Sequence, residues 1–140
     1  MINGVKLYRI AKKLHRCKIP IIPKIIKFII FILYNSILPY ECEIGTNTIL
    51  GYGGIAVVIH KDAVIGKECV ISQCVTIGGK QNSNGAPRIG DNVHIGAGAK
   101  ILGNISIGNN VLIGANAVVL TDIPDNSVVA GVPAKIIKIK

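Results

Sequence analysis

The chain has 140 residues, of which half are apolar, 4 % are aromatic and none is Trp. That length supports one domain, and so few aromatics leave little for stacking on nucleic acid bases. The net charge of +9 sits at one end: residues 1–40 hold eight basic side chains and no acidic one, while residues 41–140 hold eight basic and seven acidic.

Residues 1–40 read as a basic, apolar helical segment. From 4 to 16, Val5, Leu7, Tyr8, Ile10, Ala11 and Leu14 alternate with basic residues at roughly helical spacing, which predicts an amphipathic helix. Pro20 and Pro23 break the chain, and a second helix is expected over 23–38, apolar on nearly every face except at Lys24 and Lys27. Its longest uncharged run, Phe28 to Tyr40, has 13 residues, short of the roughly 20 that span a bilayer. Two roles stay open for this segment. It packs on the rest of the fold and on subunit neighbours, or it lies on the inner-membrane surface with lysine stems reaching anionic headgroups. Nucleic acid does not suit it, because its basic residues are interleaved with Ile.

From Ile44 the apolar pattern changes to a period of six, which neither helix nor strand produces. Hexads begin at Ile44 and Leu50, and then Leu50 to Ile59 takes nine residues, one hexad plus three. The extra residues fall in 53–58 and predict a bulge, with His60 directly after it; bulges often re-aim side chains at functional sites. Register returns at Ile59, Ile65, Ile71 and Ile77, and residues 78–88 form a Gly/Asn/Ser-rich loop that should project. Ile89, Ile95, Ile101, Ile107, Ile113 and Val119 then recur strictly, each followed four places later by a residue such as Val93, Ala99, Ile105, Val111, Ala117 or Ile123. Such a repeat fits a parallel β-helix with the aliphatic pointing inward and Gly or Asn taking backbone angles that other residues avoid. The β-helix is expected over 41–125. It should end near Thr121-Asp122-Ile123-Pro124, with 126–140 as a carboxy-terminal cap. Open solenoids expose edges, so capping and a partner along the sides are expected.

Cys17, Cys42, Cys69 and Cys74 have neither zinc spacing nor the look of a disulfide frame, and Cys69 falls on an inward position. With no secretory cleavage pattern in view, a cytoplasmic chain with reduced thiols is expected. Of three histidines, His15 sits in the basic helix and His94 points outward. His60 is the candidate general base, because an imidazole can take a hydroxyl proton and return it to a leaving group. Glu43 is the candidate to hold its second ring nitrogen. No nucleophile elbow, P-loop or dinucleotide fingerprint appears, and Cys74 is the one alternative nucleophile. His60 and His94 are too few for a zinc site at a subunit seam, so no metal is expected.

The stretches ISQCVTIGG (71–79), APRIG (86–90) and the run from Val93 to Ile137 ending in GVPAKII resemble the hexapeptide-repeat acyltransferases, and within them the serine O-acetyltransferase group. The resemblance spans about two-thirds of the chain, from Glu43 to Lys138. It implies an all-β, left-handed parallel β-helix, a homotrimer, and acetyl-CoA bound between neighbouring prisms. It also implies a histidine base and direct attack of the acceptor hydroxyl on the thioester. Gly79, Ala97 and Ala115 would line the pantetheine channel, with Lys80, Lys100 and Lys135 toward the phosphates of CoA. Tyr52, Gly53, Ala86 and Arg88 would shape the acceptor pocket.

This chain departs from the serine enzymes in three places. Tyr52 or Gly53 stands where their histidine would be. Gly85 and Ala86 replace the Arg-His pair that reads an amino acid's charged ends. Forty basic, apolar residues replace their helical domain. The wording from Tyr52 to His60 is similar to short relatives among capsule, exopolysaccharide and lipopolysaccharide genes. The expectation is therefore a cytoplasmic, trimeric acetyltransferase acting on a sugar hydroxyl of a surface-polysaccharide precursor, peripheral on the inner membrane where the basic segment meets lipid. Serine as acceptor and a non-catalytic scaffold are the alternatives.

Overall fold

The structure is a computed structural model describing residues 2–140. Two helices lead into the coil. Helix α1 spans Gly4–Arg16, capped by Asn3, whose side chain accepts from the Val5 amide. Lys13, His15 and Arg16 in its last turn complement the helix dipole. Val5, Tyr8 and Ala11 form its buried face. Helix α2 spans Ile22–Tyr34, with Pro23 in its first turn, where the missing amide costs nothing.

The second helix stops four residues short of its expected end. Asn35 takes the left-handed conformation (φ 54) and closes α2. Ile37 then bridges Val58 in parallel, so 36–38 already belongs to the coil. The buried Ser36 hydroxyl accepts from the Val57 amide and donates to the Gly54 carbonyl, tying the helix end to the predicted bulge.

The first turn lays down β1 (Glu43–Ile44), β2 (Ile49–Leu50) and β3 (Val58–Ile59). The second adds β4 (Val64–Ile65), β5 (Val70–Ile71) and β6 (Thr76–Gly78); the third adds β7 (Arg88–Ile89), β8 (His94–Ile95) and β9 (Lys100–Leu102). The fourth supplies β10 (Ser106–Ile107), β11 (Leu112–Ile113) and β12 (Val118–Val119). They stack in parallel into three faces: β1-β4-β7-β10, β2-β5-β8-β11 and β3-β6-β9-β12. The architecture is a left-handed parallel β-helix with two amino-terminal helices.

Undisturbed turns repeat every 18 residues, as in Arg88 beneath Ser106 and His94 beneath Leu112. Val64 pairs with Arg88, 24 positions on, because the loop inserts six residues; Glu43 pairs with Val64, 21 positions on, because the bulge inserts three. Both insertions leave the stack in register.

Ile59, Ile65, Ile71, Ile77, Ile95 and Ile101 are buried, and Ala63, Cys69, Val75, Val93, Ala99 and Val111 fill the space between them. Ile105 departs from the expectation and is only partly buried. The corners divide two jobs between neighbouring positions. The left-handed conformation falls three places after the aliphatics, on Asn47, Asn92, Asn110, Asn116 and Gly98 as expected, and also on Glu68 and Cys74, while the glycines directly after the aliphatics do not take it. Glycine is needed instead for close approach: a Cβ on Gly45 would lie 2.5 Å from the Gly66 carbonyl, and one on Gly66 would strike the Gly90 carbonyl. Outside that corner, the side chains of Asn92, Asn110 and Asn126 donate one to the next at 2.9 and 3.1 Å.

The coil runs past its expected end at 125. β13 (Ser127–Ala130) stacks in parallel on β11, and Val129 is buried. Only β14 (Lys135–Ile139) turns back, antiparallel to β13, as an exposed edge bearing Lys135 and Lys138. Replacing Gly66 by Ala should lower stability by about 1–3 kcal/mol, because the new methyl group meets backbone of the next turn. Denaturant unfolding measures this, and an unchanged midpoint would show that the turns separate freely.

Candidate active site

His60 follows β3 at the corner that leads into β4, and its amide donates to the Ile77 carbonyl of the next turn at 2.8 Å. The side chain is 36 % exposed. By register Gly78 lies above it in the stack and Leu102 above that, with Gly79 and Gly103 the next residues at the same corner. A Cβ on Gly79 would sit 3.9 Å from the His60 Nε2, so its absence keeps open the space over the ring. The 79–87 loop leaves from this same corner. Lys80, Gln81, Asn82 and Ser83 face Gly103, Asn104 and Leu120 across a groove of about 330 Å³. Imidazole, glycine ledge and polar groove therefore share one edge of the prism.

The second ring nitrogen is held by a residue the spacing arguments passed over. His60 Nδ1 accepts from the Asp62 amide at 3.1 Å, and an Asp62 carboxylate oxygen lies 3.9 Å away. A neutral ring accepting at Nδ1 carries its proton on Nε2, on the side of the ring next to Gly79. To act as a base at Nε2 the ring must carry its proton on Nδ1, and the exposed Asp62 carboxylate is the adjacent acceptor. The signal in the sequence was the acidic residue two places after the histidine.

Glu43 does not orient the imidazole. It lies one turn below at the same corner, where Lys12 holds it at 2.8 Å and Arg16 at 3.6 Å. Lys12 also donates to the Cys42 carbonyl, so this carboxylate anchors α1 to β1.

The expected acceptor residues are scattered. Tyr52 is 70 % exposed in a left-handed conformation (φ 51), but at the opposite edge of the β3 face, in the bulge. Gly53 is buried, and its carbonyl lies 3.1 Å from where a Cβ on Gly4 would be. Ala86 is buried in the core, which removes it from any pocket. Arg88 is exposed at the start of β7.

Of the expected cofactor residues, Gly79 and Lys80 lie at the His60 edge. Ala97 and Ala115 stack at the far edge of the same face, where the Asn116 amide donates to the Ala97 carbonyl at 2.8 Å. Lys100 lies between the two edges, but its ammonium is spent on the carbonyls of Cys74 and Gly98 at 2.9 and 2.8 Å. It fastens a corner rather than offering a free charge. Lys135 is exposed on β14. Among the described residues, no three His, Cys, Asp or Glu side chains converge as metal ligands.

Residues 86–121 match the family model "Bacterial transferase hexapeptide (six repeats)". The repeat is that of the hexapeptide transferases. Over 132 residues, covering 93 % of this chain and 54 % of the relative, it is 39 % identical to a serine acetyltransferase of Synechococcus elongatus. A solved serine acetyltransferase from Brucella abortus in complex with Coenzyme A superposes with a TM-score of 0.91 at 33 % identity, over 97 % of this chain and 55 % of that one. The Neisseria gonorrhoeae enzyme in complex with serine gives 0.87 at 33 % identity, over 94 % and 54 %. The chain thus spans about half the length of these relatives.

Two of the four cysteines serve the hexapeptide coil as core residues. Burial raises the Cys69 thiol above its usual range and pushes Cys42 up to about 12, while Cys17 and Cys74 are exposed. A thiol whose folded pKa lies above the unfolded value of 9.0 stabilises the fold below pH 9, and that contribution fades as pH rises toward 12. Unfolding midpoints should therefore fall between pH 9 and 11, and Cys42→Ala should flatten the fall; identical slopes would show that Cys42 ionises freely in the fold.

Proposed function

We propose that this chain is an acetyl-CoA-dependent O-acetyltransferase working at the edge where His60 lies beside Gly79. The observation that carries the reading is the imidazole Nε2 facing the space that Gly79 leaves empty. The acceptor hydroxyl gives its proton to His60 as its oxygen attacks the thioester carbon. The tetrahedral intermediate collapses, the carbon–sulfur bond breaks, and the proton passes to the CoA sulfur. His60 enters this cycle with Nδ1–H held by the Asp62 carboxylate, after exchanging its bond to the Asp62 amide. The small residues at the two edges of the β3-β6-β9-β12 face leave room for pantetheine, and Lys80 and Lys135 are the cations available for its phosphates.

The acceptor favoured by the relatives is serine, since those described above are serine acetyltransferases and one was solved in complex with serine. A sugar hydroxyl of a surface-polysaccharide precursor is the second reading. It is favoured by the loop itself: Gly85 has no side chain and Ala86 is buried, so neither offers a side-chain partner to a charged amino or carboxyl group. A homotrimer suits the outward side of the β2-β5-β8-β11 face, where Ile49 and Leu112 are exposed. The free thiols suit a reducing cytoplasm.

Thiol release from acetyl-CoA, screened with L-serine and with nucleotide sugars, tests the reading. Wild type should turn over with one acceptor class. His60→Ala should lose about 10²- to 10⁴-fold in kcat, while Glu43→Gln stays within about twofold, because Lys12 keeps its carbonyl partners. Turnover with serine selects the first acceptor, and turnover with sugars alone selects the second. No release with any acceptor, or full activity in His60→Ala, would contradict the mechanism and favour a scaffold.

A further inference from the structure

The amino-terminal helices leave a surface that neither the fold nor acetyl transfer uses. On α2, Pro23, Ile30 and Tyr34 are buried, whereas Ile25, Phe28, Ile29, Phe31, Ile32 and Leu33 are exposed, Phe28 by 60 % and Ile32 by 63 %. At about 100° per residue, the exposed arc covers roughly 200° of the helix, and Lys24 is its only charge. Soluble surfaces rarely leave so large an apolar patch bare, and one of this size marks an interaction site.

Charge selects the occupant. Lys24 and Lys27 lie beside Phe28 and Phe31 around a depression of about 310 Å³ floored by Ser36 and Ile37. No acidic residue occurs in residues 1–40, against eight basic ones. A contact that set α2 against α2 of other copies, about any symmetry axis, would set these lysines against themselves, and the homotrimer proposed above uses a different face; an anionic bilayer supplies both the opposite charge and an apolar layer. Spanning is ruled out by length: 13 residues of helix extend about 20 Å against a hydrocarbon core of about 30 Å.

We propose that α2 is a membrane-docking helix that lies in the interface of an anionic bilayer. Phe28, Ile29 and Ile32 sit below the headgroups, and Lys24 and Lys27 lie at the level of the lipid phosphates. This assignment is independent of the transfer chemistry.

Flotation of the purified full chain with vesicles tests it. Wild type should float with vesicles containing phosphatidylglycerol at least about tenfold better than with phosphatidylcholine alone, and added salt should weaken binding. Phe28→Asp combined with Ile32→Asp should abolish flotation. Both side chains are mostly exposed, so the fold survives their loss. Lys24→Glu with Lys27→Glu should remove the preference for anionic lipid. The proposal is overturned if wild type stays with the soluble fraction in every vesicle, or if the Asp pair floats as wild type does. It is equally overturned if the Asp pair splits a larger assembly of wild type, because a second copy then covers the helix.

Discussion

The structure depends on how closely the backbone of one turn can approach the next. At one corner Gly45, Gly66, Gly90 and Gly108 succeed each other up the stack, and a Cβ on any of them would press into backbone of the turn above. That approach lets strands of two or three residues pair along three faces and close a column of isoleucines between them. Left-handed corner residues three places after the inward aliphatics keep each turn at the same length. Without this register, side chains far apart in sequence would not share an edge.

The register absorbs both insertions, and one of them, the loop after β6, supplies a wall of the candidate site. The bulge after β2 and the loop after β6 add residues outside the prism and return the chain in phase, so His60, Gly78 and Leu102 still stack, with Gly79 beside the ring. A histidine on that edge gains a ledge without a side chain above it and a polar groove beside it. The proposed site thus lies where the coil is interrupted by the loop, and the coil itself is indifferent to which side chains occupy its outside.

What could be read from the sequence follows from the same division. The hexad period, the bulge and the loop were legible, because an inward aliphatic every six residues leaves no other phase for the chain. The end of α2 was not: helical periodicity continues through 35–38, and only the left-handed Asn35 and the Ser36 bonds turn the chain into the coil. The last turn escaped notice because Val129 sits off the six-residue count, yet it is buried all the same. At the site, His60 could be picked out by its place after the bulge. Its partner was harder to read: Glu43 is held by Lys12 of α1, and the only mark of the true neighbour is an acidic residue two places after the histidine, whose amide also meets the ring. Lys100 misled for a similar reason: a lysine on a repeat looks free until corner carbonyls are found around it.

The most direct measurement is a crystal structure of the protein grown with CoA. The account predicts the CoA sulfur at the edge that carries His60, Gly79 and Gly103, with the acceptor space open to the imidazole and a carboxylate oxygen of Asp62 on its Nδ1. A sulfur remote from His60, with the imidazole still accepting from the Asp62 amide and facing only solvent, would contradict it.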